Sequence, residues 1–101
     1  MTNRIKMGDK VDKDKFYAEL EQKLESYHKF PSTYLFKFIV PNNLQSLAEV
    51  EALFGEKAVV TTRESKTGKY ISITAKEIVL QSREVITVYK KAEIIEGLIS
   101  L

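Results

Sequence analysis

The residues of this chain whose types and spacing could do chemistry are Lys37, Tyr70, Ser72, Thr74 and Lys76. Tyr70, Ser72, Thr74 and Lys76 recur at every second position, with Ile71, Ile73 and Ala75 between them. A period of two puts the four polar residues on one face of a β-strand and the apolar residues on the other. Lys37 stands between Phe36 and Phe38 in the same way. Hydroxyls and ammonium groups orient a polar ligand or an acidic partner. Tyr70 adds a flat apolar surface with a hydrogen-bonding tip. This is the chemistry of recognition rather than of bond making.

The other reactive residue types do not assemble into a site. His28 is the single histidine, beside Tyr27 and Lys29, without a Cys, His or Asp at metal-ligand spacing. It reads as a surface or capping histidine, because a catalytic one needs an orienting partner. No Gly-x-Ser-x-Gly elbow presents a serine. Glu64 and Glu77 could be paired as acid and base, but they read as solvated charges on two strands. Gly68-Lys69 lacks the upstream glycine of a phosphate loop and is followed by Tyr70 rather than Ser or Thr. Cysteine is absent, so there is neither a disulfide framework nor a thiolate metal site. The expectation is a protein that is not an enzyme, with no metal and no cofactor.

Charge narrows the partners. Residues 1–15 hold Arg4, Lys6, Lys10, Lys13 and Lys15 against Asp9, Asp12 and Asp14, which accounts for the whole net charge of +2. The rest of the chain is neutral, whereas a nucleic-acid binder usually carries its basic excess on the folded domain. The balance argues against nucleic acid. The polar N-terminus lacks the apolar run of a signal peptide, and no segment approaches the ~20 apolar residues of a membrane span. A cytoplasmic protein that does not enter the membrane is the expectation.

The elements that must position these residues follow from periodicity. The 101 residues suit one domain. Residues 1–12 read as a flexible leader and 13–101 as the domain. Met7 could also be a start site. A helix is expected over 14–28, with Phe16, Leu20, Leu24 and Tyr27 as its apolar stripe, stopped by Pro31. Ser32–Val40 reads as a strand with Tyr34, Phe36, Phe38 and Val40 inward and Leu35, Lys37 and Ile39 outward. Pro41-Asn42-Asn43 breaks it, and an asparagine caps a helix over Leu44–Phe54. Leu47, Ala48, Val50 and Phe54 should face inward there, with Gly55 as a left-handed C-terminal residue. Ala58–Ser65 and Lys69–Val79 form a hairpin around Lys66-Thr67-Gly68, with Gly68 at positive φ. Its register is open: either Val59, Thr61 and Arg63 or Val60, Thr62 and Glu64 share the polar face. Ser82 should cap a last helix with Val85, Ile86, Tyr89 and Ala92 inward. Gly97 ends it, and Leu98–Leu101 is a short final strand.

The order after the first helix is β-α-β-β-α-β, the ferredoxin-like arrangement. The fold class is therefore α+β: a sandwich with a four-stranded antiparallel sheet, helices on one face, and an additional N-terminal helix. That helix must pack somewhere, at the edge or over part of the open face. Acylphosphatases share the topology, but their glycine-rich loop is replaced here by Pro41-Asn42-Asn43.

Two separated segments carry a family resemblance. Phe30-Pro31-Ser32-Thr33-Tyr34-Leu35-Phe36-Lys37 has a Phe-Pro opening the first strand and an aromatic-Lys pair within it. Ser65-Lys66-Thr67-Gly68-Lys69-Tyr70-Ile71-Ser72-Ile73-Thr74 has a Ser-x-x-Gly-x-Tyr hairpin and a Ser/Thr-rich strand. Together they resemble the YbeD-like family of small bacterial proteins over about Phe30–Leu101. The resemblance implies a ferredoxin-like domain similar to the ACT regulatory domains, which bind small molecules at subunit interfaces. It brings no catalytic residues to carry over.

The functional expectation is a regulatory or adaptor module. It would bind a small metabolite or a partner protein through the sheet face or a subunit interface, and Leu35 and Ile39 could equally support a homo-oligomer there. The alternative is a nucleic-acid binder of RNA-recognition type, which uses the same topology and face. It would rest on Lys37, Tyr70 and Lys76, but the first strand offers Leu35 and Ile39 where that mode needs a stacking aromatic.

Overall fold

A strand with aromatics on one side and a lysine between them can be buried on that side only. The chain builds its sheet around this strand. The computed structural model describes the backbone of residues 5–101 and the side chains from Asp12 onward. Its elements, in order, are α1 (Ile5–Tyr27), β1 (Ser32–Pro41), α2 (Leu44–Glu51), β2 (Val59–Glu64), β3 (Tyr70–Val79), α3 (Ser82–Ala92) and β4 (Ile99–Ser100). The sheet order is β2-β3-β1-β4 with every neighbouring pair antiparallel, the ferredoxin-like arrangement.

The alternation decides which face is dry. Phe36, Phe38 and Val40 of β1 are buried, as are Ile71, Ile73, Ala75 and Val79 of β3. Val50 of α2, Val85, Ile86, Val88 and Ala92 of α3, and Tyr17 and Leu24 of α1 complete the core against them. The ring of Phe36 lies 4.7 Å from that of Tyr34, 5.3 Å from Phe54 and 5.6 Å from Tyr89. Removing a fully buried phenylalanine of this kind costs about 3–5 kcal/mol.

The first helix differs from expectation in extent and in face. It runs from Ile5, through part of the stretch read as a leader; residues 1–4 and the side chains up to Val11, Met7 among them, lie outside the described residues. Its buried stripe is Tyr17, Leu20 and Leu24, whereas Phe16 and Tyr27 are exposed. The reason is the partner. α1 lies along α3, not on the open face, and polar contacts fix its rotation. Tyr17 donates to the Glu93 carboxylate, Ser82 donates to Glu25, and Lys13 sits 3.3 Å from Glu93.

Five smaller departures from the expectation have local causes. α2 ends at Glu51 because Leu53 N–H and Phe54 N–H turn back to Val50 and Glu51 at 3.0 and 3.2 Å, a tighter last turn. Ala48 is exposed, since Val50 with half-buried Leu47 and Phe54 already fills the space below the helix. Gly55 is not left-handed; among the described residues Gly68 and Gly97 are the positive-φ ones. Asn43 does cap α2, its Oδ1 accepting from Ser46 N–H at 2.7 Å. Ser82 does not cap α3: Gln81 takes that place, and the Ser82 hydroxyl is buried against α1 instead. The hairpin closes through Ser65 N–H to Tyr70 O at 2.9 Å. Its loop is therefore Lys66–Lys69, one residue longer than the expected turn.

Two predictions follow from the backbone and the core. Gly68 has φ 76° with nothing within 4 Å of an added Cβ, so Gly68→Ala should cost about 1 kcal/mol of conformational strain alone. Gly97 has φ 77° and its Cβ would meet Pro41 Cγ at 2.9 Å, so Gly97→Ala should cost about 2 kcal/mol or more. Urea midpoints for the two variants check the order, and equal losses would contradict it. Burial, then the hydrogen bond with Tyr34, raises the Tyr89 phenol above the ordinary tyrosine range. A raised folded-state value stabilises fully below the unfolded value of about 10 and is lost as pH rises beyond it. The urea midpoint should fall above about pH 10, and less steeply in Tyr89→Phe.

Candidate ligand-binding face

The register settles what shares the open face. β1 pairs Pro41 with Tyr70, Ile39 with Ser72, Lys37 with Thr74, Leu35 with Lys76 and Thr33 with Ile78. β2 pairs Arg63 with Ser72, Thr61 with Thr74 and Val59 with Lys76. β4 adds Ile99 opposite Ile39. Directly paired residues point to the same side. All five expected site residues, Lys37, Tyr70, Ser72, Thr74 and Lys76, therefore stand on the face away from the helices. Lys37 and Thr74 are opposite each other, and the others lie in successive rows along β3.

Among the described residues nothing covers this face. Leu35 is 46 % exposed, Tyr70 48 %, Ile99 53 %, Val59 61 % and Ile78 69 %. Solvated aliphatics in such number on one sheet face mark a surface that gains by being covered. The charges are one-sided too. Lys37, Arg63 and Lys76 point to this side, whereas Glu64 and Glu77, the only carboxylates in the four strands, alternate to the other.

The face is not flat. At one end a hollow of about 520 Å³ is lined by Ile39, Arg63, Glu64, Ser65, Lys66, Tyr70, Ser72 and Ile99. It brings Tyr70 and Ser72 together and leaves Lys37, Thr74 and Lys76 outside, further along the sheet. Sequence reasoning missed Arg63, Lys66 and Ile99 as site residues. Arg63 was hidden by the hairpin register, since a slip of one residue would have sent it to the helix side. Ile99 belongs to a two-residue strand whose place beside β1 no local pattern encodes.

The remaining candidates have structural partners. Glu77 accepts from Gly55 N–H at 2.9 Å and closes the turn after α2. Glu64 pairs with Ile71 at the far end of β3, about 20 Å from Glu77 at the usual strand rise, so the two carboxylates form no pair. His28 is half-buried, its ring 5.9 Å from Tyr34 and 6.1 Å from Phe30. A second cavity of about 520 Å³ lies between α1, α3 and the chain end, lined by Tyr17, Tyr34, Tyr89, Glu93 and their neighbours. There the Tyr34 and Tyr89 hydroxyls are 3.3 Å apart, and Tyr17 is held by Glu93. Its phenols are committed to one another and to that carboxylate. Among the described residues no group of three or more His, Cys, Asp or Glu comes together as a metal site, and no helix is long and apolar enough to cross a membrane.

A family model described as a protein of unknown function (DUF493) matches residues 25–99. The match contains both segments that carry the YbeD-like resemblance, and it bears that resemblance out. Comparison with curated proteins and with solved structures finds no match.

The assignment of Glu77 to the fold rather than to chemistry has a direct check. Glu77→Ala should lower stability by about 1 kcal/mol through loss of the Gly55 contact. Amide spectra should change around Gly55 and leave Ile39, Ser72 and Ile99 in place. Perturbation centred on the hollow instead would make Glu77 part of the binding face.

Proposed function

The chain belongs to the DUF493 family, and we propose that it is a non-catalytic regulatory or adaptor module acting through its uncovered sheet face on an anionic partner. The observation that carries this reading is the composition of that face: exposed aliphatics interleaved with Lys37, Arg63 and Lys76, with Glu64 at the end of β2 the one strand carboxylate that reaches its edge. Apolar area supplies the drive to bind, and the one-signed charge selects the partner. The same charge disfavours self-association face to face. Two copies would oppose six strand cations with only Glu64, at the edge of each face, to offset them, and an excess of like charge in an interface costs affinity. The ACT-like regulatory role suggested by resemblance is compatible with this reading. Its setting here is the bacterial cytoplasm.

The RNA-recognition alternative asks for aromatics on both central strands. β1 presents Leu35, Lys37 and Ile39 toward this face, and only β3 contributes a ring, Tyr70. A metabolite or an acidic protein surface fits such a face better than stacked bases.

The test is a Lys37→Ala/Tyr70→Ala double variant, which removes no core side chain. It should keep the parent's urea midpoint and lose the bound partner in affinity capture from the native extract. Parent capture should weaken with salt, as charge-steered binding does. Identical partners for variant and parent would move the function away from the sheet face. Partners lost on nuclease treatment would favour the RNA alternative.

A further inference from the structure

The register places one row of side chains across all four strands of the open face. In order it reads Ile99, Ile39, Ser72, Arg63. Three interstrand spacings make this row roughly 14 Å long. One half is aliphatic, and the other ends in a hydroxyl and a guanidinium. The hollow of about 520 Å³ lies over this row, with Tyr70 as a wall in the next row and the Ser65-Lys66 turn as its cationic rim. Its volume is within the range of small-molecule sites.

The polar end is available. The ion pairs among the described residues are Lys13 with Glu93 and Arg83 with Glu21, so the Arg63 guanidinium is engaged in neither. Ser72 Oγ donates to the Arg63 carbonyl at 3.3 Å, which holds its hydroxyl beside the β2 backbone with lone pairs left to accept. Glu64 reaches the rim as well, and its carboxylate favours a singly charged head over a doubly ionised one. A guanidinium offers two parallel N–H groups to a carboxylate or a phosphate oxygen pair. The aliphatic half offers no hydrogen bond, only area. The two halves together describe an elongated ligand with an anionic head and an apolar tail.

We propose that this hollow binds a small organic anion, with its head on Arg63 beside Lys66 and Ser72 and its alkyl body along Ile39 to Ile99. The proposal rests on the reading of the sheet face as the binding surface and names the ligand class for one end of it. The head is a carboxylate or a phosphate monoester. The body is long enough to cross about two strand spacings, because a shorter one leaves Ile99 unused.

The experiment titrates the full chain with acetate, butyrate, hexanoate and octanoate, and in a second arm with butyl phosphate and inorganic phosphate. Amide NMR follows Ile39, Ser72 and Ile99. Acetate and inorganic phosphate should bind weakest. Affinity should rise about twofold to fourfold for each added methylene and level off once the tail covers Ile99. The stronger arm identifies the head group. Arg63→Gln should weaken every member about tenfold or more and keep the chain-length trend. Ile99→Ser should flatten the trend for the longer members only. Lys91→Ala, on the helical side, serves as the control and should bind like the parent. Urea midpoints equal to the parent's show that the exposed-site variants are folded.

No chain-length dependence, or an Arg63→Gln variant that binds like the parent, would overturn the proposal. So would perturbation centred on Tyr17, Tyr34 and Tyr89, which places the anion in the other cavity. The two readings fail separately. If no anion binds but the parent captures a partner that the Lys37→Ala/Tyr70→Ala variant loses, the hollow is wrong and the face stands. If the anions bind as described and no partner is lost, the face serves the small ligand alone.

Discussion

The packing around Phe36 is the constraint on which the rest of the structure depends. This ring lies in the middle of the central strand β1, fully buried, with Tyr34, Phe38, Phe54 and Tyr89 around it. Those neighbours come from β1, from the turn after α2 and from α3. One side chain thus ties both covering helices to the sheet. Once Phe36 points inward, the period of two sends Leu35 and Lys37 outward. The pairing with β3 then fixes the outward set of that strand as well. The binding face is a geometric consequence of burying the aromatic one.

A sheet with helices on one side leaves its other side to be explained. Many such faces are made polar throughout, or are covered. Here the face keeps aliphatic side chains and takes cations of one sign. The first helix is the obvious candidate to cover it, and it goes elsewhere. Tyr17 and Leu24 enter the helix-side core, and Glu25, Lys13 and Tyr17 make polar contacts with α3. Each of these side chains finds its partner on α3 or in the residue that follows it. Buried hydroxyls need partners, and Ser82 obtains one only if α1 lies against α3.

The glycines show how little of the chain is under backbone strain, and where. Gly68 turns the hairpin at positive φ, and Asn42 Nδ2 donates to its carbonyl at 2.9 Å from the end of β1. Gly97 adopts a similar φ where the chain enters β4, with Pro41 close against it. Both sit at the end of the sheet that carries the hollow. The turn that supplies Ser65 and Lys66, and the segment that supplies Ile99, are thus each positioned by a left-handed glycine.

The sequence by itself determined the order of elements, the inward set of β1, the alternation of β3, the Asn43 cap and the need for positive φ at Gly68. These are local properties: a period, a capping oxygen, a missing Cβ. It also determined that Lys37, Tyr70, Ser72, Thr74 and Lys76 share one face, because alternation on two strands suffices once their aromatic and aliphatic partners are buried. Tertiary structure decided the rest. The face of α1 was misread because Phe16, Tyr17, Leu20 and Leu24 fit two stripes, and only packing against α3 chooses Tyr17 over Phe16. Ser82 looked like a cap and became a buried contact because Glu25, distant in sequence, lies beside it. Arg63 and Ile99 entered the site through pairings between strands, with Ser72 and with Ile39, and a pairing is a property of two segments that neither one encodes alone.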